Sequence, residues 1–111
     1  MATTPEGKVK AKVKKLFAQF GTELYYFMPV QCGYGSVGLD FHCCYRGVAF
    51  AVETKAGKGQ NHSAGKITAR QKATIAAMQR ASMTVFVVDG TPTTLSDLEL
   101  FLCGLQQQKN P

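Results

Sequence analysis

The chain has 111 residues, 45% of them apolar, and sets 13 Lys and Arg against 7 Asp and Glu for a net charge of +6. One domain of this length can bury a core without disulfides or metal, and the apolar content excludes a disordered tail. No apolar run approaches the roughly 20 residues that cross a bilayer, and "MATTPEGKVK" lacks the apolar stretch of a signal peptide. The expectation is a soluble cytoplasmic protein with no membrane partner.

Residues 4–20 read as a helix, with Thr4 suited to the cap, Pro5 to the first position and Gly21 to the stop. Val9, Val13, Leu16, Phe17 and Phe20 share one face, and Lys8, Lys10, Lys12, Lys14 and Lys15 cover the rest. Glu6 falls in register with the apolar stripe, an odd place for a carboxylate. Three strand-like runs follow at 23–30, 37–45 and 47–55, rich in Tyr, Phe and Val and broken by glycines. The last two lie close enough for a hairpin about Arg46–Gly47.

Residues 56–67 form a polar, glycine-rich loop, and a second helix spans 68–82, with Ile75, Met78 and Ala81 on its apolar side. "MTVFVVDG", 83–90, reads as a strand covered on both faces and paired in parallel. A final helix is placed near Ser96, where Ser96-x-x-Glu99 has the spacing of a capping box. Its stripe is Leu98, Phe101, Leu102 and Leu105. The order α-β-β-β-α-β-α predicts a single α/β domain over 1–111, a mixed four-stranded sheet flanked by helices.

Cys32, Cys43, Cys44 and Cys103 contain no C-x-x-C pair and read as buried reduced thiols, not zinc ligands. The basic excess is unevenly spread. No acid lies between Ala56 and Val88, and five lysines surround a single glutamate in the first fifteen residues. Such a field favours a polyanion, and without a membrane anchor that polyanion is nucleic acid.

Alternation along a strand puts Ala51, Glu53 and Lys55 on one face, and Asp40, His42 and Cys44 on one face of the preceding strand. Pairing about Arg46–Gly47 sets Asp40 opposite or diagonal to Glu53 or Lys55, with Cβ atoms roughly 5–8 Å apart. Two carboxylates about 4 Å apart repel by about 4 kcal/mol at an effective dielectric of about 20. Lys55 offsets one charge and Glu6 adds a third acid, so the cluster calls for a divalent cation, Mg²⁺ or Mn²⁺. Lys55 would orient a water or neutralise the charge of a phosphoryl transition state. Gln71 reads two ways: Thr68-x-x-Gln71 is a capping box, and Gln71 is in register with Ile75 and Met78 toward the sheet. His42 reads as structural, and His62 as a loop residue facing DNA or solvent.

"GLD" (38–40), "ETK" (53–55) and "TARQ" (68–71) resemble the PD-(D/E)xK nuclease superfamily, and more narrowly the stand-alone virus-type replication-repair (VRR-NUC) nucleases and Holliday-junction resolvases. The resemblance runs from Glu6 to about Val88. It implies a restriction-endonuclease-like core, with Asp40 and Glu53 as metal ligands and Lys55 as the catalytic lysine. It also implies a ligating carbonyl at Thr54, a helix acid at Glu6, a helix glutamine at Gln71, and a virus or mobile element as a natural source. The proline often found before the aspartate is Leu39 here.

Lys58, Lys66, Arg70 and Lys72 flank the expected cleft, and Lys8, Lys12 and Lys15 extend a phosphate track along the first helix. The expected function is therefore a Mg²⁺- or Mn²⁺-dependent DNA endonuclease acting on branched, flap or Holliday-junction DNA as a homodimer, with a place in DNA repair. The alternatives are a catalytically inactive nuclease-like DNA-binding module and a basic RNA-binding protein that stacks bases on Tyr25, Tyr26 and Phe27.

Overall fold

The computed structural model describes residues 4–29, 38–56 and 67–108. Its elements follow the expected order: α1 (Pro5–Ala18), β1 (Leu24–Phe27), β2 (Phe41–Tyr45), β3 (Val48–Thr54), α2 (Ala69–Arg80), β4 (Thr84–Val88) and α3 (Pro92–Gln107). The sheet has the order β1-β2-β3-β4, antiparallel for the first two pairings and parallel between β3 and β4. A parallel pairing needs a long crossover, and α2 with its flanking segments supplies it.

Helix α1 starts where expected, with the Thr4 hydroxyl accepting from the Gly7 N–H at 3.0 Å and Pro5 just inside. It stops at Ala18, two residues short of the expected end, and Gly21 (φ 71°) opens a short 3-10 turn into β1. The β2–β3 hairpin turns about Arg46–Gly47 as expected. Tyr45 faces Val48, and both turn residues have positive φ (51° and 83°), the geometry that matches strand twist in a two-residue turn.

Helix α3 begins four residues earlier than Ser96. Thr91 and Pro92 make the start, and Ser96 lies within the helix, so its spacing to Glu99 is not a cap. Pro92 at the first helical position is the signal that overrides it. Strand β4 is parallel to β3 as expected and is contacted by both α2 and α3, but it lies at the edge of the sheet instead of inside it, and Val87 is left 37% exposed.

One cluster forms the core, with Val9, Val13, Leu16 and Phe17 of α1 and Leu98, Leu102 and Leu105 of α3 against Phe41, Tyr45, Phe50, Val52 and Val88 of the sheet. Phe17 sits edge-on to Phe41 and Phe50, with ring centroids 5.6 and 6.1 Å apart, geometry that aromatic quadrupoles favour. No α2 residue joins this cluster. Cys43 is buried and Cys103 half-buried, as the thiol reading requires, but Cys44 is exposed because it points to the opposite sheet face; Cys32 lies outside the described residues.

Candidate active site

The β2–β3 register pairs Phe41 with Val52, so one step further places Asp40 opposite Glu53, at the end of both strands. The pairing is sealed by side chains in place of the ladder. The Asp40 N–H donates to Glu53 Oε1 at 3.1 Å, and the Thr54 N–H donates to Asp40 Oδ2 at 2.9 Å. The Thr54 hydroxyl donates to the same Oδ2. The Glu53 carboxylate therefore fixes the Asp40 backbone and the Asp40 carboxylate fixes Thr54, the residue after Glu53, which holds both acids where the ladder stops.

Lys55 Nζ lies 3.5 Å from Glu53 Oε2, and the Gln71 amide donates to that same oxygen at 2.5 Å. Gln71 both closes the capping box and faces the sheet. Its Oε1 accepts from the Thr68 N–H at 3.0 Å while its own N–H donates to the Thr68 hydroxyl at 3.1 Å. One end of the amide thus caps α2, and the other end holds Glu53.

Glu6 does not join the buried stripe of α1. It is half-exposed and reaches the groove through Lys10, whose Nζ lies 3.6 Å from Glu6 Oε2 and 3.6 Å from Asp40 Oδ1. Lys10 is the site residue that sequence reasoning passed over. Its signal was present in the i,i+4 spacing to Glu6, which puts the two on one helix face. Glu6, Lys10, Gly38, Asp40, Glu53, Lys55 and Gln71 line an open groove of about 440 Å³. A more apolar cavity of about 250 Å³ lies between α1 and the start of α3, where Asp89 is held by Thr91 and Thr94. Convergent charge, not enclosure, distinguishes the groove.

Glu53 is 4% exposed and Lys55 7%, unusual for charged residues. Burial, then the charge of Asp40, pushes the Glu53 carboxyl up to about 7, against the opposing pull of Lys55 and the hydrogen bond from the Asp40 backbone. Burial is the larger cause, and the neighbouring Asp40 charge adds to it. His42 takes the structural role: its Nε2 accepts from the Leu39 N–H at 3.1 Å, shaping the turn that delivers Asp40, and burial lowers its pKa.

The carboxylates of Asp40, Glu53 and Glu6 on one groove are hard oxygen donors of the kind that suit a hard divalent cation. Among the described residues no three His, Cys, Asp or Glu side chains form a ready-made cage.

The remaining basic residues scatter. Lys8, Lys15, Arg70 and Lys72 are exposed on α1 and α2, the helices that also supply groove residues, whereas Lys12 lines the apolar cavity instead. Lys58, Lys66 and His62 lie outside the described residues. Of the three aromatics on β1, Tyr26 packs on Phe17 and Phe41 in the core, while Tyr25 and Phe27 are 65% and 53% exposed. The chain matches no family model, no curated protein and no solved structure.

Proposed function

We propose that the groove hydrolyses phosphodiester bonds of DNA with the help of a divalent cation, acting on branched, flap or junction substrates. The observation that carries this reading is the meeting of Asp40 and Glu53 across the ends of β2 and β3, with Lys55 3.5 Å from Glu53. Asp40, Glu53 and the Thr54 carbonyl would hold Mg²⁺ or Mn²⁺, with Glu6 in reserve beyond Lys10. When bound, the cation supplies Lewis-acid stabilisation of phosphoryl charge and a more acidic water.

The chain's own residues do the rest. Gln71 and the Asp40 N–H fix both oxygens of Glu53, so its geometry is set before substrate arrives. Lys55 presents a mostly buried ammonium at the wall of the groove, where its attraction for a developing phosphoryl charge is less screened than at an exposed position. Exposed Lys8, Arg70 and Lys72 contact phosphates without reading bases, which suits recognition of DNA shape. A homodimer belongs to the same reading, because two cuts on two strands need two grooves; sedimentation of a monomer at working concentration removes that part.

The test is a labelled panel of duplex, flap, four-way junction and single strand, with Mg²⁺, Mn²⁺ or EDTA. Asp40→Asn and Glu53→Gln are expected to lower cleavage by on the order of 10²- to 10³-fold without weakening DNA binding. Cleavage that survives in both variants, or in EDTA, overturns the assignment. Binding without turnover under every metal condition leaves a nuclease-like DNA-binding module. A second reading rests on exposed Tyr25 and Phe27, which offer two stacking faces for RNA. RNA that outcompetes junction DNA at fixed salt favours it.

A further inference from the structure

Lys10 stands between two acids of the groove. Its ammonium stands 3.6 Å from Asp40 Oδ1 and 3.6 Å from Glu6 Oε2, on the groove side of both acids. The other oxygen of Asp40 already accepts two hydrogen bonds from Thr54, and both oxygens of Glu53 are engaged by the Asp40 N–H, Gln71 and Lys55. Asp40 Oδ1 is therefore the oxygen whose partner can leave most readily: Lys10 is one-third exposed, on a flexible four-carbon stem, and a single ion pair ties it to each acid.

We infer that Lys10 is the internal competitor that sets the affinity and selectivity of the groove for cations. The inference rests on the phosphodiesterase reading of the same site. With no divalent ion bound, the single charge of Lys10 offsets half of the charge of Asp40 and Glu6 and weakens their mutual repulsion. A monovalent ion brings no more charge than the ammonium it would displace, so it gains nothing by entering. A divalent ion brings twice that charge and releases Lys10 toward the groove mouth. Lys10 thus raises the concentration at which the site fills and excludes Na⁺ and K⁺.

The test uses the full chain, without DNA, and Mn²⁺ as the probe, read by the loss of the free-ion signal in electron paramagnetic resonance and by calorimetry. Lys10→Met is expected to tighten Mn²⁺ binding at least fivefold. Lys10→Arg, which keeps the charge, is expected to stay within twofold of the parent chain. Lys14→Met removes the same charge from the exposed side of α1 and is expected to change binding less than twofold. Equal tightening in the Lys10→Met and Lys14→Met chains means a general field effect and overturns the inference, as does unchanged or weaker binding in Lys10→Met. Unchanged binding with metal-dependent cleavage intact removes Lys10's role and leaves the nuclease reading standing. Absence of saturable Mn²⁺ binding in every chain removes both. Thermal unfolding of each variant in EDTA checks that the substitution has left the fold intact.

Discussion

Glu53 is a carboxylate almost without access to water, held by an amide, an ammonium and a backbone N–H, beside a second carboxylate. Its folded pKa of about 7 stands above the ordinary 4.5, so the folded protein keeps a proton that the unfolded chain releases. Its contribution to stability is complete below about 4.5 and is lost as pH rises through about 7. In metal-free protein the stability difference between Glu53→Gln and the parent chain is expected to shift in the variant's favour by on the order of 3 kcal/mol between pH 4.5 and 8. Urea unfolding at both pH values reads it. Comparing two pH values cancels the fixed cost of an amide nitrogen placed against the Gln71 donor. His42 works in the opposite sense: its pKa is lowered, so its contribution is present above 6.5 and lost as pH falls. The variant-minus-parent difference isolates Glu53 from it. A flat difference across this range would mean that folding does not raise the Glu53 carboxyl, and that burial beside Asp40 does not disfavour its ionised form.

Helix α2 ties its own start to the chemistry of the sheet. Thr68 and Gln71 close a capping box, and the same Gln71 holds Glu53, so the box fixes where α2 begins and how Glu53 is oriented. Thr68→Ala is expected to cost about 1 kcal/mol in urea unfolding, the usual value of such a cap. It is also expected to slow metal-dependent cleavage several-fold, although Thr68 does not line the groove. Lost stability with full activity would show that Gln71 needs no cap to find Glu53. The pairing of the two acids was legible in the sequence because period-2 alternation and a two-residue turn leave little freedom in register. The double use of Gln71 was legible as two alternatives, since spacing cannot tell which end of an amide goes where. Lys10 was not legible as a site residue because a lysine among five on one helix reads as solvated surface until a tertiary partner appears. Ser96 misled for a related reason: a motif of two residues has no weight against a threonine and a proline already in place upstream.

At the scale of the molecule, charge and chemistry are separated. The net charge is +6, yet the groove gathers three acids, Glu6, Asp40 and Glu53, against two lysines, Lys10 and Lys55. On the proposed reading, a polyanion would be attracted by the basic exterior and would gain little from the acidic groove until a cation is bound. Metal-free binding should therefore come from exposed residues such as Lys8, Arg70 and Lys72, and not from the site itself. In EDTA, affinity for a short duplex is expected to fall with salt at a log–log slope of roughly −4, as for four or five neutralised phosphates. Replacing both Arg70 and Lys72 by Ala should make that slope shallower by about 2, because each released phosphate contact contributes about 0.9. Asp40→Asn should leave the slope unchanged and tighten binding, since it removes a negative charge from the groove. Fluorescence anisotropy across a salt series measures all three. Binding that ignores salt, or that tracks base sequence at fixed salt, would place recognition in specific contacts and leave the basic exterior without a role. A weaker complex on neutralising Asp40 would mean that the groove attracts DNA before any cation arrives, and the division of labour between surface and site would be wrong.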